Sequence, residues 1–271
     1  MLQTTRKIRQ FNRRLILSGK ILEVYEYEKP IAKGFETKRT GRANAPFTSD
    51  EVKAENRGKV ANRARSYVRR MVNANPQLNK FLTLTFAQNL TDLELARYEF
   101  DKFLKRLKTR FKGFQFVVVV EFQKRGAVHF HLLCNLPFVN VKELAQIWRH
   151  GFIRLNRIDN VDNVGAYVTK YMTKDSIDER LVGKKCYSMS KGLNTPKEYT
   201  DEKDISEVLQ NLEAVKRVYT SEFESDHYGK VSYTQIVCTA PPKMPNKIHR
   251  LLNGLRAALI PLPDCTPTPF D

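Results

Sequence analysis

A chain of 271 residues and 31.5 kDa can bury a core without disulfides or structural metals, which excludes a peptide or a bare linker. Hydrophobic residues make up 41% of it and aromatic residues 10%, too many for a disordered chain of this charge. The 47 Lys+Arg against 29 Asp+Glu give a net charge of +18, a surplus that points to a polyanionic partner, most often nucleic acid.

That surplus is concentrated. Residues 37–80 hold 11 basic and 3 acidic side chains, whereas residues 136–271 hold 19 and 17. No run approaches the ~18 apolar residues of a membrane span, and residues 1–20 lack the apolar core of a signal peptide, so no membrane is expected and the expected location is cytoplasmic. Cys134, Cys186, Cys238 and Cys265 lie far apart without a Cys-x-x-Cys pair, which suits reduced structural thiols rather than a disulfide framework or a zinc site.

In chain order, residues 1–36 are basic and mixed, with one strand-like stretch at 15–27 and no chemical clue. A helix is expected over 49–74: Thr48-Ser49-Asp50-Glu51 reads as a capping box, and Val60, Ala64, Tyr67, Val68 and Met71 recur at helical spacing. Lys59, Arg63, Arg65, Arg69 and Arg70 fall outside that stripe; a solvated charged face and a phosphate-contacting face both fit, and the net charge favours the second. Residues 80–86 (KFLTLTF) alternate as a strand. A second helix follows, opened by a capping box at Thr91-Asp92-Leu93-Glu94 and carrying Leu93, Ala96, Phe100, Phe103, Leu104, Leu107 and Phe111 on one face, with Gly113 closing it. Residues 115–122 and 127–135 are strands joined by Gln123-Lys124-Arg125-Gly126, whose Lys124 and Arg125 join the candidate phosphate-contacting residues. Residues 141–148 read as a short helix, 152–157 as a strand and 161–174 as a helix. The resulting order β-α-β-β-α-β-α predicts an α+β fold with an RRM-like or ferredoxin-like antiparallel sheet and helices on one face. Beyond it a looser module is expected, with a helix over 204–217, a hairpin across 225–229 and a Pro-rich end. The division is 1–79 as a basic extension, 80–195 as the domain built on this sheet and 196–271 as an accessory module.

Two constellations carry chemistry. His129 and His131 flank Phe130 in one strand, and a period of two puts both imidazoles on one face. Across the hairpin, Glu121 interrupts an otherwise apolar strand and can stand beside them; two His and a carboxylate make an open divalent-metal site with room for a phosphate oxygen. The second is Tyr167-Val168-Thr169-Lys170-Tyr171-Met172-Thr173-Lys174, where helical spacing places both phenols one turn apart and each has a Lys three residues on. A phenol is a weak nucleophile at neutral pH, and a nearby ammonium that favours phenolate is what phosphoryl attack requires. Ordinary strand histidines and packing tyrosines would explain either constellation alone, but not so readily both in one chain.

Residues 81–86, the run from Glu121 to His131, and residues 167–174 resemble, in that order, the three motifs of HUH-superfamily rolling-circle replication initiators, most of all the two-tyrosine branch of bacterial plasmids and single-stranded DNA phages. The resemblance spans roughly residues 48–195. It implies Mg²⁺ or Mn²⁺ held by His129, His131 and Glu121, with Gln123 as the fallback third ligand. It also implies Tyr167 and Tyr171 as nucleophiles that form a 5′-phosphotyrosine, helped by Lys170 and Lys174. The implied substrate is single-stranded origin DNA, nicked and rejoined in a bacterial cytoplasm. No Gly-x-x-x-x-Gly-Lys-[Ser/Thr] loop is present, so unwinding is expected from a host helicase and extension from a host DNA polymerase. The alternatives are a non-catalytic RRM-like single-strand binder and an HUH relaxase or transposase.

Overall fold

The computed structural model describes residues 8–34, 50–158, 162–172, 179–181 and 184–243. Lys174, Cys265 and the first half of the 48–51 capping box lie outside them. In chain order the elements are β1 (Arg9–Ser18), β2 (Ile21–Lys33), α1 (Asp50–Asn73), β3 (Lys80–Thr85), α2 (Leu93–Arg110), β4 (Phe116–Phe122), β5 (Val128–Cys134), α3 (Val141–Trp148), β6 (Ile153–Arg157), α4 (Val164–Thr169), β7 (Tyr187–Met189), β8 (Lys197–Tyr199), α5 (Glu202–Gln210), β9 (Val215–Ser225) and β10 (Gly229–Cys238). The α+β class is as expected, and the strands form two antiparallel five-stranded sheets.

The sheet ordered β6-β3-β5-β4-β7 contains a split βαβ unit. Its first face is covered by α2 and α3, whose Phe100, Phe103, Leu107, Leu144 and Trp148 pack on Leu82, Leu84, Phe116, Val118, Val120, Phe130 and Leu132. The other face is not left to water. Val68, Met71 and Val72 of α1 and Val168 of α4 cover Phe81, Val117, Val119 and Leu133. Burial on both faces explains why β4 is a continuous apolar run rather than an alternating one. Asp92, rather than Thr91, caps α2, its carboxylate accepting from the Glu94 and Leu95 amides.

The other sheet, ordered β8-β1-β2-β10-β9, is built from both ends of the described chain. The strand-like stretch at 15–27 is therefore a hairpin, turned at Gly19 with φ +61. A side chain at Gly19 would collide with the Asn73 carbonyl, so the turn abuts the end of α1. The helix expected over 204–217 stops at Gln210, and Val215 instead begins β9, because β10 offers a full ladder of partners to this β-branched stretch.

Glu23 of β2 joins this sheet to α1. Its carboxylate is 2% exposed and accepts from Arg69 at 2.5 Å, Arg70 at 2.6 Å and the Tyr233 hydroxyl at 2.9 Å. Burial alone would raise its pKa, but the Arg70 hydrogen bond and the two guanidinium charges prevail and hold it below the usual range. Truncating a partner strands a buried charge, so Arg70→Gln is expected to cost about 3 kcal/mol in chemical denaturation.

Candidate active site

The hairpin between β4 and β5 closes as a tight turn, with the Gly126 amide donating to the Gln123 carbonyl and Gly126 at φ +88. That closure sets the register Glu121↔His129 and Val119↔His131, which puts the carboxylate and both imidazoles on the face opposite the α2 core. His131 Nε2 lies 2.5 Å from Glu121 Oε2, while the Thr83 hydroxyl lies 3.2 Å from His131 Nδ1 and orients the ring from β3. The three ligand atoms fall within 4.8 Å of one another. His129 Nε2 is buried with no hydrogen-bond partner, as suits an atom whose lone pair awaits a cation. Two imidazoles and a carboxylate thus fit a divalent ion. Gln123, the fallback ligand, instead accepts from Arg125 Nε at 2.8 Å.

The tyrosines are fixed by the junction of α1 with α4. Asn73, at the end of α1, accepts from the Gly165 amide and donates to Asn163, which itself caps α4 through the Ala166 amide. Any side chain at Gly165 would strike the Arg69 carbonyl, so the two helices meet backbone to backbone. The helix expected over 161–174 is shorter than its pattern, running from Val164 to Thr169 and tightening into a 3₁₀ turn over Lys170–Met172. Both half-buried phenols still face the sheet. Phe81, 2% exposed, lies beneath them, with its ring 5.4 Å from those of Tyr167 and Tyr171 and 5.7 Å from His131. Tyr171 stacks on His131 at 4.1 Å, and Lys170 Nζ sits 4.1 Å from the Tyr167 ring and 5.1 Å from that of Tyr171.

Tyr171 has its pKa raised, first by burial and then by a hydrogen bond and charge repulsion with Tyr167, with Glu121 adding and Arg154 opposing. Burial lowers the His129 imidazole to about 4; His131 adds to the fall, Glu121 opposes it and Arg125 adds a little more. His129 is therefore neutral in the folded chain at pH 7 and ready to bind a cation. An unfolded histidine titrates near ~6.5, so the stability contributed by neutral His129 is complete above that pH and is lost as the pH falls towards about 4. Urea midpoints taken in chelator should drop across this window more steeply for the native chain than for His129→Gln.

With this geometry in place the comparison with known proteins becomes specific. Residues 79–176 match the family model of the Replication-associated protein of the ORF2 type. The matched stretch holds β3 with Phe81 and Thr83, the Glu121, His129 and His131 group, and both tyrosines. It supports a replication initiator family. No curated protein and no solved structure shows a significant match to the chain.

The basic residues divide by what they touch. Around the replication-associated match, Arg125 reaches the Phe86 carbonyl at 3.2 Å from the hairpin, and Lys124 beside it is exposed. On α1, Lys59 forms an exposed pair with Glu55 and Arg63 is exposed, whereas Arg65 is partly buried. Arg69 and Arg70 are held on Glu23. The sequence marks Phe81 and Thr83 only as members of the 81–86 motif, without a role, and gives no signal for Asn73, Asn163 or Arg154. The alternation of 80–86 does place Phe81 and Thr83 on one face, but only the order of the strands puts that face under the tyrosines.

Proposed function

We propose that the chain is a metal-dependent, single-strand-specific DNA nickase and joiner that initiates rolling-circle replication of a plasmid or phage. The stack of Tyr171 on His131 carries this reading, because it sets a phenol directly beside the candidate metal ligands. Mg²⁺ or Mn²⁺ held by His129, His131 and Glu121 would polarise the scissile phosphate, and the imidazole pair favours Mn²⁺.

The chain's own groups do the rest. Tyr171 gives up its phenolic proton to water and its oxygen attacks phosphorus in line, the P–O3′ bond breaks, and the 3′ oxygen leaves and takes up a proton from water, while the 5′ phosphate stays on the tyrosine. Lys170 offsets the charge that develops, in the place where burial disfavours phenolate. Tyr167 lies one turn away and can cut the regenerated site, so that the freed 3′-OH closes the circle on the first phosphotyrosine. Lys174 is assigned the same supporting role as Lys170. Lys59, Arg63, Arg65, Lys124 and Arg125 would hold the strand by its phosphates; Arg69 and Arg70 reach it only at the expense of Glu23. A host helicase and a host polymerase would supply unwinding and extension.

The test uses labelled single-stranded oligonucleotides tiled across the chain's own replicon, with Mn²⁺ or with chelator. Cleavage at one position, with Mn²⁺ only, leaving a 3′-OH that a polymerase extends, is the expected result. Tight binding without cleavage at any position would instead favour a non-catalytic RRM-like single-strand binder.

A further inference from the structure

The outer strand beside the tyrosines carries two side chains that the nicking chemistry does not use. Thr83 pairs with Arg154 of β6 on one side and with His131 of β5 on the other, so Arg154 and His131 stand on one face, two strands apart. Alternation sends Ile153 into the α2 core and returns Phe152, the residue just before β6, to the side of Arg154. The Phe152 backbone is pinned, its carbonyl accepting from both the amide and the hydroxyl of Thr85. The residue is nevertheless 67% exposed, and no carboxylate among the described residues pairs with the exposed Arg154.

From this juxtaposition we infer that Phe152 and Arg154 form a nucleotide subsite for single-stranded DNA, Phe152 stacking on a base and Arg154 holding a phosphate next to the one cleaved. A lone exposed Phe needs no explanation. An aromatic ring and an exposed guanidinium two residues apart, on the edge of a sheet that presents a phosphate-handling site, form the combination that grips single strands. A base on Phe152 and its phosphate on Arg154 would feed the strand across β3 towards His131, perpendicular to the strands.

The subsite rests on the nickase reading for the identity of its ligand, but its test needs no cleavage. The probe is a twelve-residue oligothymidylate, titrated in chelator at several salt concentrations against the full chain. Phe152→Leu is expected to weaken binding roughly tenfold or more with an unchanged salt slope, because it removes stacking alone. Arg154→Gln is expected to weaken binding and also to flatten the slope by about 0.7, the value of one phosphate contact on a single strand. Phe152→Tyr and Arg154→Lys should retain most of the affinity. Both positions are exposed, and matching melting curves will exclude misfolding. Native affinity in Phe152→Leu, an unaltered salt slope in Arg154→Gln, or no binding of the probe by the native chain would overturn the subsite. Loss of cleavage with this pattern intact would count against the nickase reading alone.

Discussion

Replacing both imidazoles, as in His129→Ala/His131→Ala, is expected to lower strand cleavage about a thousandfold or more, because an ion that stabilises transition-state charge contributes several kcal/mol and is lost with its ligands. Binding to single-stranded DNA should change little, since the contacts proposed for it come from cationic side chains elsewhere. Calorimetric titration with Mn²⁺ should detect a site in the native chain and none in the variant. Glu121→Gln makes the finer comparison: it keeps the shape of the carboxylate that lies 2.5 Å from His131 Nε2 but removes its charge, so it should weaken Mn²⁺ binding without emptying the site. A double histidine variant that still cleaves in chelator would remove the metal from the account.

Tyr171→Phe is expected to have the larger effect of the two tyrosine substitutions. Its ring stacks on His131 at 4.1 Å, whereas Tyr167 meets Phe81 and Tyr171 edge-on, with its ring 5.4 and 6.1 Å from theirs. Removing one hydroxyl keeps the ring and its packing, so a loss of first-strand cleavage by about two to three powers of ten, typical of removing a group that acts only in the transition state, can be assigned to the nucleophile. Tyr167→Phe should leave first cleavage within a few-fold of native but reduce the joining of circular product. Equal loss in both variants would mean that the tyrosines exchange places before the first cut.

Much of this arrangement was legible in the sequence because it is local. The His-x-His period fixes one face, Glu121 stands out against four valines, and Gly126 sets the hairpin register that brings the three together. The α2 stripe and its acidic cap are likewise short-range signals. What could not be read depends on pairings distant in sequence. β10 pairs with β2 across about two hundred residues, and the strand-forming tendency of residues 215–225 competes with a helical pattern that only this pairing overrules. Arg69 and Arg70 look like their neighbours on a basic helix until Glu23, one of the three acids of β2, turns out to be buried beneath them. Phe81 reads as an ordinary strand residue; its place under both phenols follows from the packing of α4 on the sheet.

The most direct measurement is to incubate the native chain with its cleavable origin oligonucleotide, labelled on the 3′ side of the nick, with and without Mn²⁺. The products are then separated under denaturing conditions and the linked peptide is identified by mass spectrometry. The account predicts a labelled protein–DNA adduct that requires the metal and maps to Tyr171 in the first turnover, with Tyr167 appearing only after a regenerated site has been cut. Cleavage with no covalent adduct, or an adduct on a residue other than these two, would contradict it.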